Sequence, residues 1–208
     1  MSVPILTNDI DMREQLKRLV IDSIKEVKEP YFKIKATYEP SGIVRERVFC
    51  YELYHQMRKM QEREPTLASI TLNGELDKRG YLNFNKRDRK NPDFVFHKQG
   101  DMEHNTAVIE VKGDISKSSQ MIKDLNTITT FIHKYQYKFG FYICYNYRLN
   151  NIKTMLNEDV LRKIKFKQEF DKINVICIKE AGGPINSQIL DELLNGTLQP
   201  QQRANENE

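Results

Sequence analysis

Cysteine is scarce in this chain of 208 residues: Cys50, Cys144 and Cys177 are odd in number and far apart, set in apolar or aromatic neighbourhoods rather than in CxxC pairs. They are expected to be buried free thiols. Histidine is nearly as sparse, and His55, His97, His104 and His133 show no zinc-site spacing, so each is expected to be a surface or core residue. Long apolar runs are missing too, with none approaching the ~20 residues that cross a bilayer. The opening MSVPILTNDIDMREQ lacks the basic-then-apolar order of a secretory signal, which makes the cytoplasm the expected compartment and a membrane an unexpected partner. No internal repeat is visible. Ala181-Gly182-Gly183-Pro184 lacks the Lys-Ser/Thr of a phosphate-binding loop and reads as a turn, which removes the nucleotide motors.

What is present suits one globular domain. Hydrophobic residues at 39% supply enough apolar surface to offset the entropy of ordering the chain. A net charge of +4 permits a polyanionic partner without requiring one. From Asp9 to Lys28, Leu16, Leu19, Val20, Ile24 and Val27 recur at helical spacing and Pro30 ends the run. Phe32, Ile34 and Ala36 then alternate with polar residues, as in a strand or extended arm before a Pro40-Ser41-Gly42 turn. Val44 to Glu64 carries two apolar stripes (Val44, Val48, Tyr51 and Phe49, Leu53, Met57, Met60), so it is expected to be a largely buried helix.

Leu67 to Leu76 reads as a strand, followed by a basic loop, and Phe94 to Phe96 and Ala107 to Val111 read as a hairpin around Gly100, Asp101 and Asn105. Ser116 is placed to cap a helix running to about Lys134 on a stripe of Met121, Ile122, Leu125, Ile128, Thr129 and Ile132. A buried strand over Phe139 to Cys144, a helix around Asn157 to Lys167, a strand over Ile173 to Ile178 and a helix from about Ile185 to Leu194 follow. The expectation is one domain over residues 1–198 with a disordered tail, QPQQRANENE, from Gln199. The middle of the chain, read as helix, three strands, helix, strand, argues for an α/β fold: a mixed central sheet with helices on both faces.

The chemistry gathers in that middle part. Asn91-Pro92-Asp93 opens one strand, and seventeen positions after the Asp comes Glu110-Val111-Lys112. Glu110 interrupts the apolar run Ala107-Val108-Ile109, where an ionised carboxylate without a partner is costly, so a cation should compensate it. Mg2+ takes hard oxygen ligands and needs only one or two protein carboxylates besides water and substrate phosphate. Lys112, two residues on, projects to the same sheet face and can reach the same water. A Glu-x-Lys triplet alone says little, because Glu26-Val27-Lys28 is another; the apolar strand and the Pro-Asp before it distinguish the second copy.

On Pro92-Asp93 and Glu110-Val111-Lys112, within roughly Val44 to Tyr145, the chain resembles the PD-(D/E)XK nuclease superfamily. The resemblance implies a restriction-endonuclease-like core of order αβββαβ, with extra N- and C-terminal elements around it. It implies catalytic Asp93, Glu110 and Lys112, and a metal site of Asp93, Glu110 and the Val111 backbone carbonyl. A glutamate on the first core helix, found in many members, would be Glu52, assisting catalysis and adding a ligand to the metal site. The cofactor would be Mg2+, with Mn2+ as a substitute, and the activity endo- or exonucleolytic hydrolysis of phosphodiesters, DNA favoured, in defence or repair. A homodimer or a targeting partner would supply recognition. The alternative of the same fold is a catalytically silent nucleic-acid- or protein-binding module in a larger complex.

Plainer readings stand beside each residue. Asp93 could close a Pro-Asp turn, Glu110 and Lys112 could form a cross-strand ion pair, worth little at a surface, and Glu52 could face solvent near Gln56 and Lys59. Glu75 could be a further ligand or pair with Lys78, and His97 lies on the face of Asp93 but about 13 Å along the strand. Lys78, Arg79, Lys86, Arg87, Arg89 and Lys90, interleaved with Tyr81 and Phe84, suit a solvated loop or contact with a nucleic-acid backbone. Tyr135, Tyr137, Phe141, Tyr142, Tyr145 and Tyr147 could stack on bases, though core packing explains most of them.

Overall fold

The structure is a computed structural model that describes residues 9–75, 91–98, 100 and 104–196. The basic cluster from Lys78 to Lys90, Asp101 and the tail from Gln199 lie outside the described residues. The first helix, α1 (Asp9–Glu26), buries the expected stripe of Leu16, Leu19, Val20 and Ile24. A one-turn helix, α2 (Glu29–Phe32), leads into a small hairpin of β1 (Ile34–Ala36) and β2 (Glu39–Ile43), with Ile34 opposite Ile43. Pro40-Ser41-Gly42 is therefore not the turn: Thr37 and Tyr38 turn the chain, and Gly42 takes its positive φ inside the second strand.

The main sheet has six strands: β3 (Thr71–Gly74), β4 (Phe94–His97), β5 (Asn105–Lys112), β6 (Phe139–Tyr145), β7 (Ile173–Ile178) and β8 (Ile185–Ile189), in that spatial order. The pairs β3–β4, β4–β5 and β7–β8 are antiparallel, whereas β5–β6–β7 are parallel. The sheet is thus mixed, and the crossover between β5 and β6 is α4 (Ser118–Tyr135). Helix α3 (Glu46–Gln61) precedes β3, so the order helix, three strands, helix, strand runs through the described residues.

Strand alternation divides the core in two. Ala107, Ile109 and Val111 of β5 pack with α1 and α3, whereas Val108 packs with α4 on the other face. Further helices α5 (Leu149–Met155), α6 (Glu158–Leu161) and α7 (Leu190–Asn195) join α4 through Leu149, Ile152, Val160 and Leu193. No described helix is long and apolar enough to cross a membrane. All three cysteines are free and buried.

Four further expectations need correction. The helix around Asn157 to Lys167 is instead the short α6, a loop and a 3-10 turn at Lys167–Lys172, with α5 ahead of it. Ile185 to Ile189 is an edge strand because its backbone completes β7, and only Leu190 onward is helical. Ser116 does not cap α4; Gln120 Oε1 reaches back to accept the Lys117 N–H at 3.0 Å and the Ser116 hydroxyl at 3.3 Å. Helix α3 buries one stripe, not two, and leaves Tyr51 64% exposed.

Candidate active site

The carboxyl ends of β5 and β6 are where crossover helices begin, and open α/β sheets bind ligands beyond those ends. At this end of the sheet Asp93, Glu110 and Lys112 come together. Phe94 pairs with Ile109, so Asp93, one residue earlier, stands level with Glu110. The Val111 N–H donates to Asp93 Oδ2 at 2.7 Å, which ties the start of β4 to the end of β5. Glu110 is 6% exposed and shares the α4 face with Val108. Lys112 reaches beyond the strand end, its Nζ 3.0 Å from Glu46 Oε2 and 3.5 Å from Asp124 Oδ2.

Two of these acids were missed in the sequence. Glu46 opens α3, where a carboxylate also complements the helix dipole. Its position follows from the packing of α3 on the sheet: Phe49 stacks on Tyr145 with ring centroids 4.0 Å apart, and Phe32 meets both edge-on. With Phe49, Leu53 and Met57 turned inward, Glu46 and Cys50 look over the end of β5. Glu52 does not join them. At ~100° per residue it sits about 120° round the helix from Glu46, and its carboxylate accepts from Gln56 Nε2 at 2.6 Å. Asp124, on the second turn of α4, is 1% exposed, and its Oδ2 has no hydrogen bond beyond the longer ionic contact with Lys112.

The backbone after Lys112 is closely held. A Cβ at Gly113 would overlap the Tyr145 ring, so glycine alone lets β5 end beneath that ring. Asn146 donates to the Gly113 carbonyl at 3.2 Å, and the Tyr147 hydroxyl accepts the Ile115 N–H at 2.7 Å. Tyr135, Tyr137, Phe141, Tyr142 and Tyr145 are buried, and Tyr147 is partly buried. Glu75 stands beside the site, its N–H donating to the Asp93 carbonyl at 3.0 Å, and its carboxylate pairs with Arg47 at 3.3 Å. His97 is at the far end of β4, its Nε2 2.7 Å from Asn73 Oδ1.

Burial dominates the electrostatics. It raises the Asp93 carboxyl to about 6 against the opposing Val111 N–H, with Glu46 adding to the rise. Burial likewise raises Asp124 to about 6, although Lys112 and Lys123 oppose it. Glu110 is pushed well above the carboxylate range by burial, then by Asp93 and Asp124. For Lys112 burial acts to lower the pKa, but Asp124 and Glu46 outweigh it and the ammonium is held protonated. Burial, then Asp93, Glu46 and Glu110, push the Cys50 thiol up. Among the described residues no three His, Cys, Asp or Glu side chains form a ready-made metal cage.

The site therefore gathers two buried carboxylates, Glu110 and Asp124, and the partly buried Asp93 and Glu46 around the Lys112 ammonium, with Lys123 acting on Glu110 and Asp124 as well. An added cation would offset the negative excess, and the Lys112 ammonium can donate to an anionic oxygen. No family model, curated protein or solved structure matches the chain.

Proposed function

We propose that the chain is a divalent-metal-dependent nuclease of the PD-(D/E)XK type, with a restriction-endonuclease-like core, hydrolysing phosphodiester bonds in DNA. The observation that carries this reading is the pair Asp93 and Glu110, level on adjacent strands and desolvated, with Lys112 on the same strand end. The donor set fits Mg2+ or Mn2+: hard oxygens only, a negative excess, and a buried Asp124 Oδ2 met only by the long 3.5 Å contact with Lys112. The lack of a complete cage among the described residues agrees with an ion that takes one or two carboxylates and fills its remaining positions with water and phosphate. Asp93, Glu110 and the Val111 carbonyl would hold it, and the helix glutamate of the superfamily would be Glu46 in place of Glu52.

The ion, when bound, supplies Lewis-acid polarisation of the phosphoryl group and lowers the pKa of water. The protein's own residues do the rest. Lys112, kept protonated by Asp124 and Glu46, serves as a donor that orients the attacking water and stabilises charge on the phosphoryl oxygens, and it is not a general base. Glu46 and Asp124 fix its Nζ from the two helices. Sheet and helix packing exclude bulk water from the Glu110 side. Targeting would come from a second copy or from a partner protein.

One observation favours a silent binding module of the same fold: Lys112 is already engaged by two acids. The test is cleavage of plasmid, linear duplex, single-stranded DNA and RNA with Mg2+, Mn2+ or EDTA. Wild type should cut only with metal, Lys112→Ala and Glu46→Gln should lose on the order of a hundredfold, and Glu52→Gln should stay near wild type. Absence of cleavage of every substrate by wild type would leave the binding module.

A further inference from the structure

A cleft of about 730 Å3 opens beside the acid cluster, between α3 and the β3 edge of the sheet. Glu46, Cys50 and Asp93 line one end, so it is continuous with the site described above. Tyr51, Tyr54, Asn73, Gly74 and Phe94 line the other. We infer that this cleft receives an unstacked nucleobase next to the scissile phosphate, so that the substrate is single-stranded DNA or a frayed strand. The inference rests on the nuclease reading for its placement and adds the form of the substrate.

The lining explains why a base, rather than a phosphate, belongs there. Among the described lining residues Glu46, Glu75 and Asp93 contribute carboxylates, and the one cation, Arg47, is paired with Glu75. Such a wall repels a phosphate and accepts a neutral ring bearing amino donors. Aromatic faces are present at helical spacing: Tyr51 stands 64% exposed, and Tyr54, one turn on, lies nearly parallel to Phe94 at 6.2 Å and 26°. The Tyr54 hydroxyl donates to the Leu72 carbonyl at 3.3 Å, which holds that ring to the sheet. Gly74 keeps the edge-strand wall flat, because a Cβ there would only touch the Phe94 ring at 3.6 Å and stand in the cleft. Asn73 borders the cleft through its strand, while its side chain turns to the opposite face of the sheet beside His97.

The volume falls within the roughly 300 to 1,000 Å3 typical of small-molecule sites. A paired base in a duplex is stacked on both sides and cannot enter a concave aromatic pocket, whereas an unpaired base can leave its stack and place a π-face on Tyr51. With the phosphate at Asp93 and Glu110, the adjoining base would reach Tyr51 along the same wall. Arg47, 68% exposed at the rim, would have to leave Glu75 to meet a neighbouring phosphate.

The experiment measures anisotropy of a short fluorescent mixed-sequence oligodeoxynucleotide, single-stranded or annealed, with Mg2+ and the full chain carrying Lys112→Ala to prevent turnover. Single strand should bind tighter than duplex. Adding Tyr51→Ala should weaken single-strand binding roughly tenfold, with Tyr51→Phe restoring it, as expected for a stacking face. Tyr51 is a surface position, and unchanged melting of each variant establishes that the fold is intact. Equal or tighter duplex binding, or unchanged binding by Tyr51→Ala, overturns the inference. If wild type cleaves nucleic acid and Tyr51→Ala cuts single strands unimpaired, the cleft assignment falls and the nuclease stands. If wild type cuts nothing while binding still follows Tyr51, the cleft stands and the nuclease falls.

Discussion

Two clusters of buried acid in this molecule have opposite electrostatics. At the 3-10 turn after α6, Glu169 is 8% exposed at its side chain and meets two partners, His133 Nδ1 at 2.9 Å and the Lys172 ammonium at 2.7 Å. Burial acts to raise its pKa, but Lys172 and His133 outweigh burial and the carboxyl ends below its usual value. At the end of β5, Asp93, Glu110, Asp124 and Glu46 share Lys112, and burial wins at the first three. The first arrangement ties helix α4 to the turn and is complete as it stands. The second keeps a negative excess around Lys112, the electrostatic pattern on which the proposed nuclease reading rests.

That contrast can be broken most forcefully at Glu169. Glu169→Ala should destabilise the fold by about 1 to 2 kcal/mol in urea denaturation, since it strips His133 and Lys172 of their acceptor while both stay able to meet water. Glu110→Gln should instead raise the melting temperature modestly at pH 8, because it removes a desolvated charge and keeps the shape. A loss of stability on Glu110→Gln equal to that of Glu169→Ala would erase the distinction.

The pH dependence sharpens it further. Asp93 and Asp124 are raised to about 6 from 3.8, so the folded chain binds more protons than the unfolded one across that window. Their contribution to stability is present below about 4 and is lost as pH rises through about 6. Glu169, lowered from 4.5, has the reverse sign: its contribution is present above 4.5 and is lost as pH falls through its folded value. Stability without divalent metal should therefore rise on acidification from pH 8 to 5. Asp124→Asn should flatten that rise, measured by urea titration across the range.

These clusters also divide what the sequence could disclose. Strands with strong apolar runs, β5 to β7, were legible because burial on both faces leaves few alternatives. So was the pairing of Asp93 with Glu110, since an acid inside Ala107-Val108-Ile109 is a local contradiction. Glu46 was not, because choosing between Glu46 and Glu52 requires the rotational setting of α3, which Phe32 and Tyr145 determine from distant parts of the chain. Asp124 did leave a signal: it sits three residues after Met121 and four before Ile128, inside the apolar stripe of α4. An acid at such a position carries the same message as Glu110 in its strand. Ile185 to Ile189 was misread because its strand character lies in the exposed edge of β7 and not in its own residues.

The central claim, that the β5 cluster awaits a divalent cation, is tested most directly by melting the metal-free protein with and without millimolar Mg2+ or Mn2+, beside Asp93→Asn with Glu110→Gln. Wild type should gain melting temperature with metal, as ligand linkage requires, and the double variant should gain none. Equal shifts in the two proteins, or no shift in wild type, would contradict the account.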